Sequence, residues 1–191
     1  MFQVKNGFLI AVVMLLFTAQ VRGEVNVDLY QQIEIAAEKH DISPVVIASI
    51  IKIESDGDAC AMSHVGAQGL LQFMPKTALM MGLQDPFSPV QSVDKGAELL
   101  KSLLIESKGN YLDMAAMYNA GGKGKSLAFH ELPDETQQYL VKFNNTVNKG
   151  THNWKILLPN YVLGTTREIC SAIREQNEEK SVLQRLTALW Q

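Results

Sequence analysis

Ser43-Pro44-Val45-Val46-Ile47-Ala48-Ser49-Ile50-Ile51-Lys52-Ile53-Glu54 is the stretch on which the fold turns. By β-propensity alone its valines and isoleucines read as a strand. Its start and its length argue for a helix instead. Serine is a good N-cap, and proline is tolerated at the first helical position, where its missing N–H would be unpaired anyway. A helix so apolar on nearly every face belongs in an interior, with other helices around it. Glu54 breaks the pattern. It follows Ile47 and Ile51 at helical spacing, so its carboxylate leaves the helix on the face of those isoleucines. A carboxyl group at the edge of an apolar surface loses hydration, which disfavours its charged form and lifts its pKa toward the range of a general acid. The helix alone leaves a second reading open, a terminal glutamate turned to water beside Ser55, Asp56 and Asp58.

Helical periodicity extends in both directions. Asp28 can cap a preceding helix with Leu29, Ile33, Ala36, Ala37 and His40 on one face. After the stretch, a short helix is expected over Thr77 to Met81. A long one opens at Ser88-Pro89 and carries Val93, Ala97, Leu100 and Leu104 before Gly109 stops it. A further helix runs from about Leu112 to Asn119 and ends at Gly121-Gly122. The next begins by Pro133 and aligns Thr136, Tyr139 or Leu140, Phe143 and Val147. A helical tail carries Ile169, Ile173, Val182, Leu183, Leu186 and Trp190. The expectation is an all-α domain over residues 24–144 with a short helical C-terminal extension, residues 145–191, that packs on the domain or presents an apolar face to a partner.

The composition fits that picture and excludes others. With 191 residues, 47% hydrophobic and 19% charged, the chain can bury one sizeable core and is not disordered as a whole. A net charge of -3 offers no electrostatic footprint for nucleic acid. Lys5, the uncharged run Phe8 to Phe17, and the small residues near Val21 and Gly23 read as a secretory signal peptide over residues 1–23, too short to span a membrane. An uncleaved anchor is the alternative. Cleavage after Gly23 would remove Lys5 and Arg22 and take the net charge to -5. The expected site of action is then outside the cytoplasm, in the periplasm, with no integral span after processing. Export makes a bridge between Cys60 and Cys170 plausible, the alternative being two buried thiols. His40, His64, His130 and His152 are scattered without ligand spacing, so no metal is expected.

Residues 63–78, Ser-His-Val-Gly-Ala-Gln-Gly-Leu-Leu-Gln-Phe-Met-Pro-Lys-Thr-Ala, place two glycines three apart and then a glutamine, a methionine and a proline. Together with Ile53-Glu54-Ser55 this order resembles the catalytic domain of the soluble-lytic-transglycosylase-like (SLT) family of lysozyme-like, goose-type enzymes of bacterial cell-wall metabolism. The resemblance spans roughly Ile42 to Phe143. Met117-Tyr118-Asn119-Ala120-Gly121 is similar to that family's Ala-Tyr-Asn-Ala-Gly, and Leu132-Pro133-Asp134-Glu135-Thr136-Gln137-Gln138-Tyr139 to its Leu-Pro-x-Glu-Thr-x-x-Tyr. Met117 and Leu71 depart from the usual alanine and methionine. The loop Gly122-Lys123-Gly124-Lys125 lacks the proline common after the family's glycine, which alters that part of the groove.

The resemblance implies a peptidoglycan lytic transglycosylase in which Glu54 is the sole acid and base. It would cleave the bond between N-acetylmuramic acid and N-acetylglucosamine and leave a 1,6-anhydro-muramic end. Alternatives are a hydrolytic muramidase on the same fold and a non-catalytic wall-binding assembly factor. Ser63 and Gln72 are candidate donors to an N-acetyl group or the reacting oxygen. Tyr118 and Tyr139 are candidates to hydrogen-bond Glu54 or line the sugar site, and Met74 an adaptable apolar wall. Asn119 either binds substrate or caps its helix, and Tyr139 also reads as a core aromatic beside Phe143. The expected partner is the glycan strand. Such small exported enzymes also serve secretion or conjugation machines, and neither a cofactor nor a metal is implied.

Overall fold

The computed structural model describes residues 26–124 and 127–188. The leader read at 1–23 lies outside the described residues, as do Lys125, Trp190 and the side chains of Val182, Leu183 and Leu186. Seven helices follow one another among the described residues: α1 (Leu29–His40), α2 (Pro44–Glu54), α3 (Pro75–Met80), α4 (Pro89–Glu106), α5 (Tyr111–Ala120), α6 (Asp134–Gly150) and α7 (Arg167–Ala188). The helical expectation therefore holds, with one addition. Asn26–Asp28 (β1) and Tyr161–Leu163 (β2) form an antiparallel pair, Val27 opposite Val162.

Capping chemistry sets several helix starts. Asp28 accepts the amide of Gln31 at 3.0 Å, and Asn110 accepts those of Leu112 and Asp113 at 2.9 and 3.2 Å. Pro44, Pro75 and Pro89 each stand in the first turn of their helices. At the far end of α4, Lys108 and Gly109 both adopt positive φ, and the Gly109 amide returns to the Leu104 carbonyl at 2.8 Å.

The Val/Ile-rich segment is the axis of the core. Val46, Ile47, Ala48, Ile50 and Ile51 on α2 are all 3% exposed or less, and α1, α4, α6 and the 3-10 turn Trp154–Leu157 pack around them. Tertiary burial overrides β-propensity here, because a helix enclosed on all sides has no polar face to keep.

The boundary expected at residue 144 falls inside a helix, since α6 continues to Gly150. Beyond it, Leu157, Leu158 and Val162 are buried in the same core as α2. Tyr30 on α1 donates to the carbonyls of Lys155 and Leu158 at 2.5 and 2.7 Å, and its ring meets Trp154 edge-on. The bridge read between Cys60 and Cys170 is present, with Cα atoms 5.2 Å apart, and Cys170 is fully buried. The Thr165 hydroxyl donates to the Phe87 carbonyl, and the Arg167 amide to the Asp85 carboxylate. Thus residues 155–170 pack on the domain.

Candidate active site

Glu54 is the last residue of α2, where the apolar helix emerges from the core. Tyr139, near the start of α6 and 7% exposed, donates its hydroxyl to Glu54 Oε1 at 2.8 Å. Burial pushes the Glu54 carboxyl up from an ordinary 4.5 to about 7; the Tyr139 hydrogen bond pulls against that rise and the charge of Glu135 adds to it. The carbonyl end of α2 acts in the same upward direction. At neutral pH the group therefore exists in both protonation states, which suits a residue that first gives and then takes a proton.

Two phenols face this carboxyl. Burial raises the pKa of Tyr139 and of Tyr118 well above the usual phenol range, and the charge of Glu54 adds to both rises. Both therefore remain neutral donors. Tyr118 does not give its hydroxyl to Glu54, one of the two uses expected of it. That hydroxyl donates to the Leu71 carbonyl at 2.6 Å and ties α5 to the loop of residues 55–74.

The loop is held from several sides. The Ser55 hydroxyl donates to the Leu70 carbonyl at 2.8 Å. Gly69 sits at φ +75, and a Cβ there would lie 1.8 Å from the Pro86 carbonyl oxygen, so only glycine permits this approach. Gly96 on α4 likewise leaves room for Leu71, whose methyl would stand 2.4 Å from an added Cβ.

The candidate binding residues fare differently in this setting. Ser63 Oγ accepts the Ala67 amide at 2.9 Å, which leaves its own proton to donate elsewhere. The amide nitrogen of Gln72 donates to the carbonyls of Ala61 and Gly69 at 3.1 and 2.9 Å, which ties its side chain into the loop. Gln72 also adopts a φ of +48, and its side chain braces that unusual backbone. Met74 is 43% exposed at the residue before α3 begins.

Asn119 joins α5 to α6, its Oδ1 accepting the buried Thr136 hydroxyl at 2.8 Å. The two acids after Glu54 are engaged elsewhere. Asp56 pairs with Lys52, and Asp58 accepts the Cys60 amide at 2.8 Å.

Thr136 and Glu135 are the contributors that sequence reasoning left without a role. Both lie within the Leu-Pro-x-Glu-Thr-x-x-Tyr segment. The spacing of Glu135 and Tyr139 puts them on one helix face, and that was the available signal. Among the described residues no cluster of three or more His, Cys, Asp or Glu could hold a metal, and no helix is long and apolar enough to cross a membrane.

Known proteins resemble this chain in part. A 75-residue segment is 35% identical to a transglycosylase of Enterobacteria phage PRD1, covering 39% of this chain and 28% of that protein. A 95-residue segment is 35% identical to the membrane-bound lytic murein transglycosylase F of Desulfosudis oleivorans, covering 47% of this chain and 21% of that protein. The chain thus spans under a third of the length of these relatives. The X-ray structure of an inactive mutant of lytic transglycosylase Slt from Pseudomonas aeruginosa superposes with a TM-score of 0.56 at 22% identity, over 71% of this chain and 26% of that one, which establishes the shared fold. The pattern described as the transglycosylase SLT domain matches residues 31–141, the interval that contains Glu54, the glycine-bearing loop and Tyr139. The chain belongs to the transglycosylase SLT domain family.

Proposed function

We propose that this protein is a peptidoglycan lytic transglycosylase that uses Glu54 alone as acid and base. Glu54 protonates the glycosidic oxygen between N-acetylmuramic acid and N-acetylglucosamine. The resulting carboxylate then takes the proton of the muramic C6 hydroxyl as that oxygen attacks C1. The products are a free N-acetylglucosamine end and a 1,6-anhydro-muramic end, and no water is consumed. The observation that carries this reading is a carboxyl group poised at about 7 by burial and held in place by the Tyr139 hydroxyl. A glycosidase normally sets a second carboxylate at a defined separation. The acids nearest in sequence, Asp56 and Asp58, are committed to Lys52 and to the Cys60 amide.

Ser63, with a free hydroxyl proton, is the donor best placed in this reading to bind the substrate's polar groups, and Met74 supplies apolar contact. Gln72, Tyr118 and Asn119 act by holding the loop and helices that carry them. The leader at 1–23 delivers the chain to the periplasm, and the segment from residue 145 serves as part of the catalytic body. Local wall opening for a secretion or conjugation machine is the cellular role we assign to this activity. Mass spectrometry of muropeptides tests the chemistry. Anhydro-muropeptides lighter by one water are expected, and Glu54→Gln abolishes them. Only reducing-end products would point to a hydrolytic muramidase. Peptidoglycan binding with no release at all would point to a wall-binding assembly factor.

A further inference from the structure

A cavity of about 400 Å³ opens between residues 57–60 and the helix α7, within the size range of small-ligand sites. Neither Glu54 nor Tyr139 lines it, nor does any of the candidate binding residues Ser63, Gln72, Met74, Tyr118 and Asn119. Most of its wall comes from residues 159–177, beyond the interval matched by the family pattern, which ends at residue 141. The walls are fixed before any ligand arrives. The bridge between Cys60 and Cys170 joins them, with Cα atoms 5.2 Å apart, and Arg174 on α7 donates to the Cys60 carbonyl at 3.3 Å. Stacking 5.1 Å from the centre of the Phe87 ring further restrains the Arg174 guanidinium.

Tyr161 enters from β2. Strand alternation turns Val162 into the core, at 6% exposed, and leaves Tyr161 58% exposed beside the cavity. The polar groups on the walls keep bonding capacity. Asp58 accepts the Cys60 amide through Oδ1 at 2.8 Å, and its Oδ2 makes no hydrogen bond among the described residues. The Asn177 amide and the Tyr161 hydroxyl make none there either. Arg174 gives one bond to Cys60 and one to the Ser171 hydroxyl at 3.5 Å, out of five donors. Donors and acceptors of both charge signs therefore share one cavity beside an open aromatic face. An anion alone would meet Asp58, and a cation alone Arg174. A zwitterion would use both charges and leave the Tyr161 ring idle. A pyranose suits the whole set. Its hydroxyls both donate and accept, planar amide, carboxylate and guanidinium groups span neighbouring hydroxyls in pairs, and the C–H groups of one ring face pack on an aromatic.

We propose that this cavity is a second, non-catalytic saccharide site, which holds an N-acetylhexosamine of a wall glycan through Tyr161, Asp58, Arg174 and Asn177. The sugar chemistry stands on the cavity alone; the choice of the wall glycan rests on the transglycosylase reading above. Such a site keeps the enzyme attached to an insoluble polymer between cleavages. It contributes nothing to turnover of a short fragment that fills only the site at Glu54.

The test uses the full chain carrying Glu54→Gln, alone and combined with Tyr161→Ala or Asn177→Ala. Both added positions are exposed, and neither belongs to the disulfide. Titration with the trimer of N-acetylglucosamine should shift the backbone amide resonances of Val162 and Ile173. Each added substitution should weaken that response about tenfold, the equivalent of one lost hydrogen bond or stacking contact. Shifts at Tyr118 and Tyr139, which report the trimer at the catalytic position, should persist in both variants and show that they fold. Affinity for insoluble walls stripped of peptide should fall about tenfold in the same variants. With Glu54 restored, Tyr161→Ala and Asn177→Ala should cleave a short soluble glycan fragment with wild-type kcat and KM. The site is overturned by silence of Val162 and Ile173 up to millimolar trimer, by glycine shifting them as strongly as the trimer, or by equal losses on soluble fragment and intact wall. If the trimer occupies the cavity while the wild type releases no anhydro-muropeptides, the transglycosylase reading fails and the saccharide site stands.

Discussion

Replacing Glu54 by glutamine should stabilise the protein, and only above a particular pH. In the folded chain burial holds the carboxyl at about 7, against an ordinary value of 4.5. Between those values the folded state binds a proton that the unfolded state has released, so wild-type stability falls as pH rises through the interval. Below about 4.5 both states are protonated and the effect vanishes. Above 7 the carboxylate is ionised in both states, and at about 1.36 kcal/mol per pH unit its burial costs about 3 kcal/mol. Glutamine imitates the neutral acid, keeps an oxygen for the Tyr139 hydroxyl, and escapes that cost. For a chain of this length about 3 kcal/mol corresponds to a rise of about 6 to 12 °C in melting temperature. Thermal unfolding of both proteins at pH 4, 5.5, 7 and 8, with the disulfide intact, measures the difference directly. Titrations elsewhere cancel in the comparison. The two curves should coincide near pH 4 and separate progressively up to about pH 7. A gap that stays constant from pH 4 to pH 8, or a less stable variant at pH 8, would refute the argument that burial governs Glu54.

Three further outcomes follow from the same geometry. Tyr139→Phe removes the hydrogen bond that holds the Glu54 pKa down; a bond to a charged group contributes about 1.5 to 3 kcal/mol, so the alkaline fall in kcat/KM should move up by about one to two pH units. Gly69→Ala demands a left-handed alanine whose Cβ meets the Pro86 carbonyl, and should cost more than about 3 kcal/mol in urea unfolding while depressing turnover by displacing the loop. The double substitution Cys60→Ser with Cys170→Ser opens a connection 110 residues long, and calorimetry should show a loss of up to about 4 to 5 kcal/mol, whereas reduction of that variant by a dithiol should change nothing more.

Local chemistry made much of the helical frame readable. Asp28 caps α1, Pro44 opens α2 although Ser43 before it makes no side-chain cap, and Lys108-Gly109 closes α4, each by groups within a few residues of one another. The placing of Glu54 was legible for a related reason, since helical spacing alone carries it to the margin of the isoleucine face. What escaped depends on contacts between distant segments. β1 and β2 are three residues each and pair across most of the chain, so neither leaves a local alternation to detect. The helix α6 overruns the expected boundary at 144, because Asn144, Asn145 and Asn148 are exposed residues that need no tertiary partner to stay helical once Phe143 and Val147 are packed. Tyr118 and Gln72 were open to several readings, sugar-facing among them, and their partners in the fold are backbone carbonyls of a loop whose shape no residue type announces. Asn119 presented the same difficulty: only the folded chain brings Thr136 to it.

The pairing of Val27 with Val162 also orders events in time. Synthesis from the N-terminus delivers β1 early, whereas β2 and Cys170 come close together much later in the sequence. Until then the edge beside α1 is unpaired, Cys60 has no mate, and Tyr30 lacks the carbonyls of Lys155 and Leu158. The loop that follows Glu54 is therefore fastened by its disulfide only once residue 170 has been made.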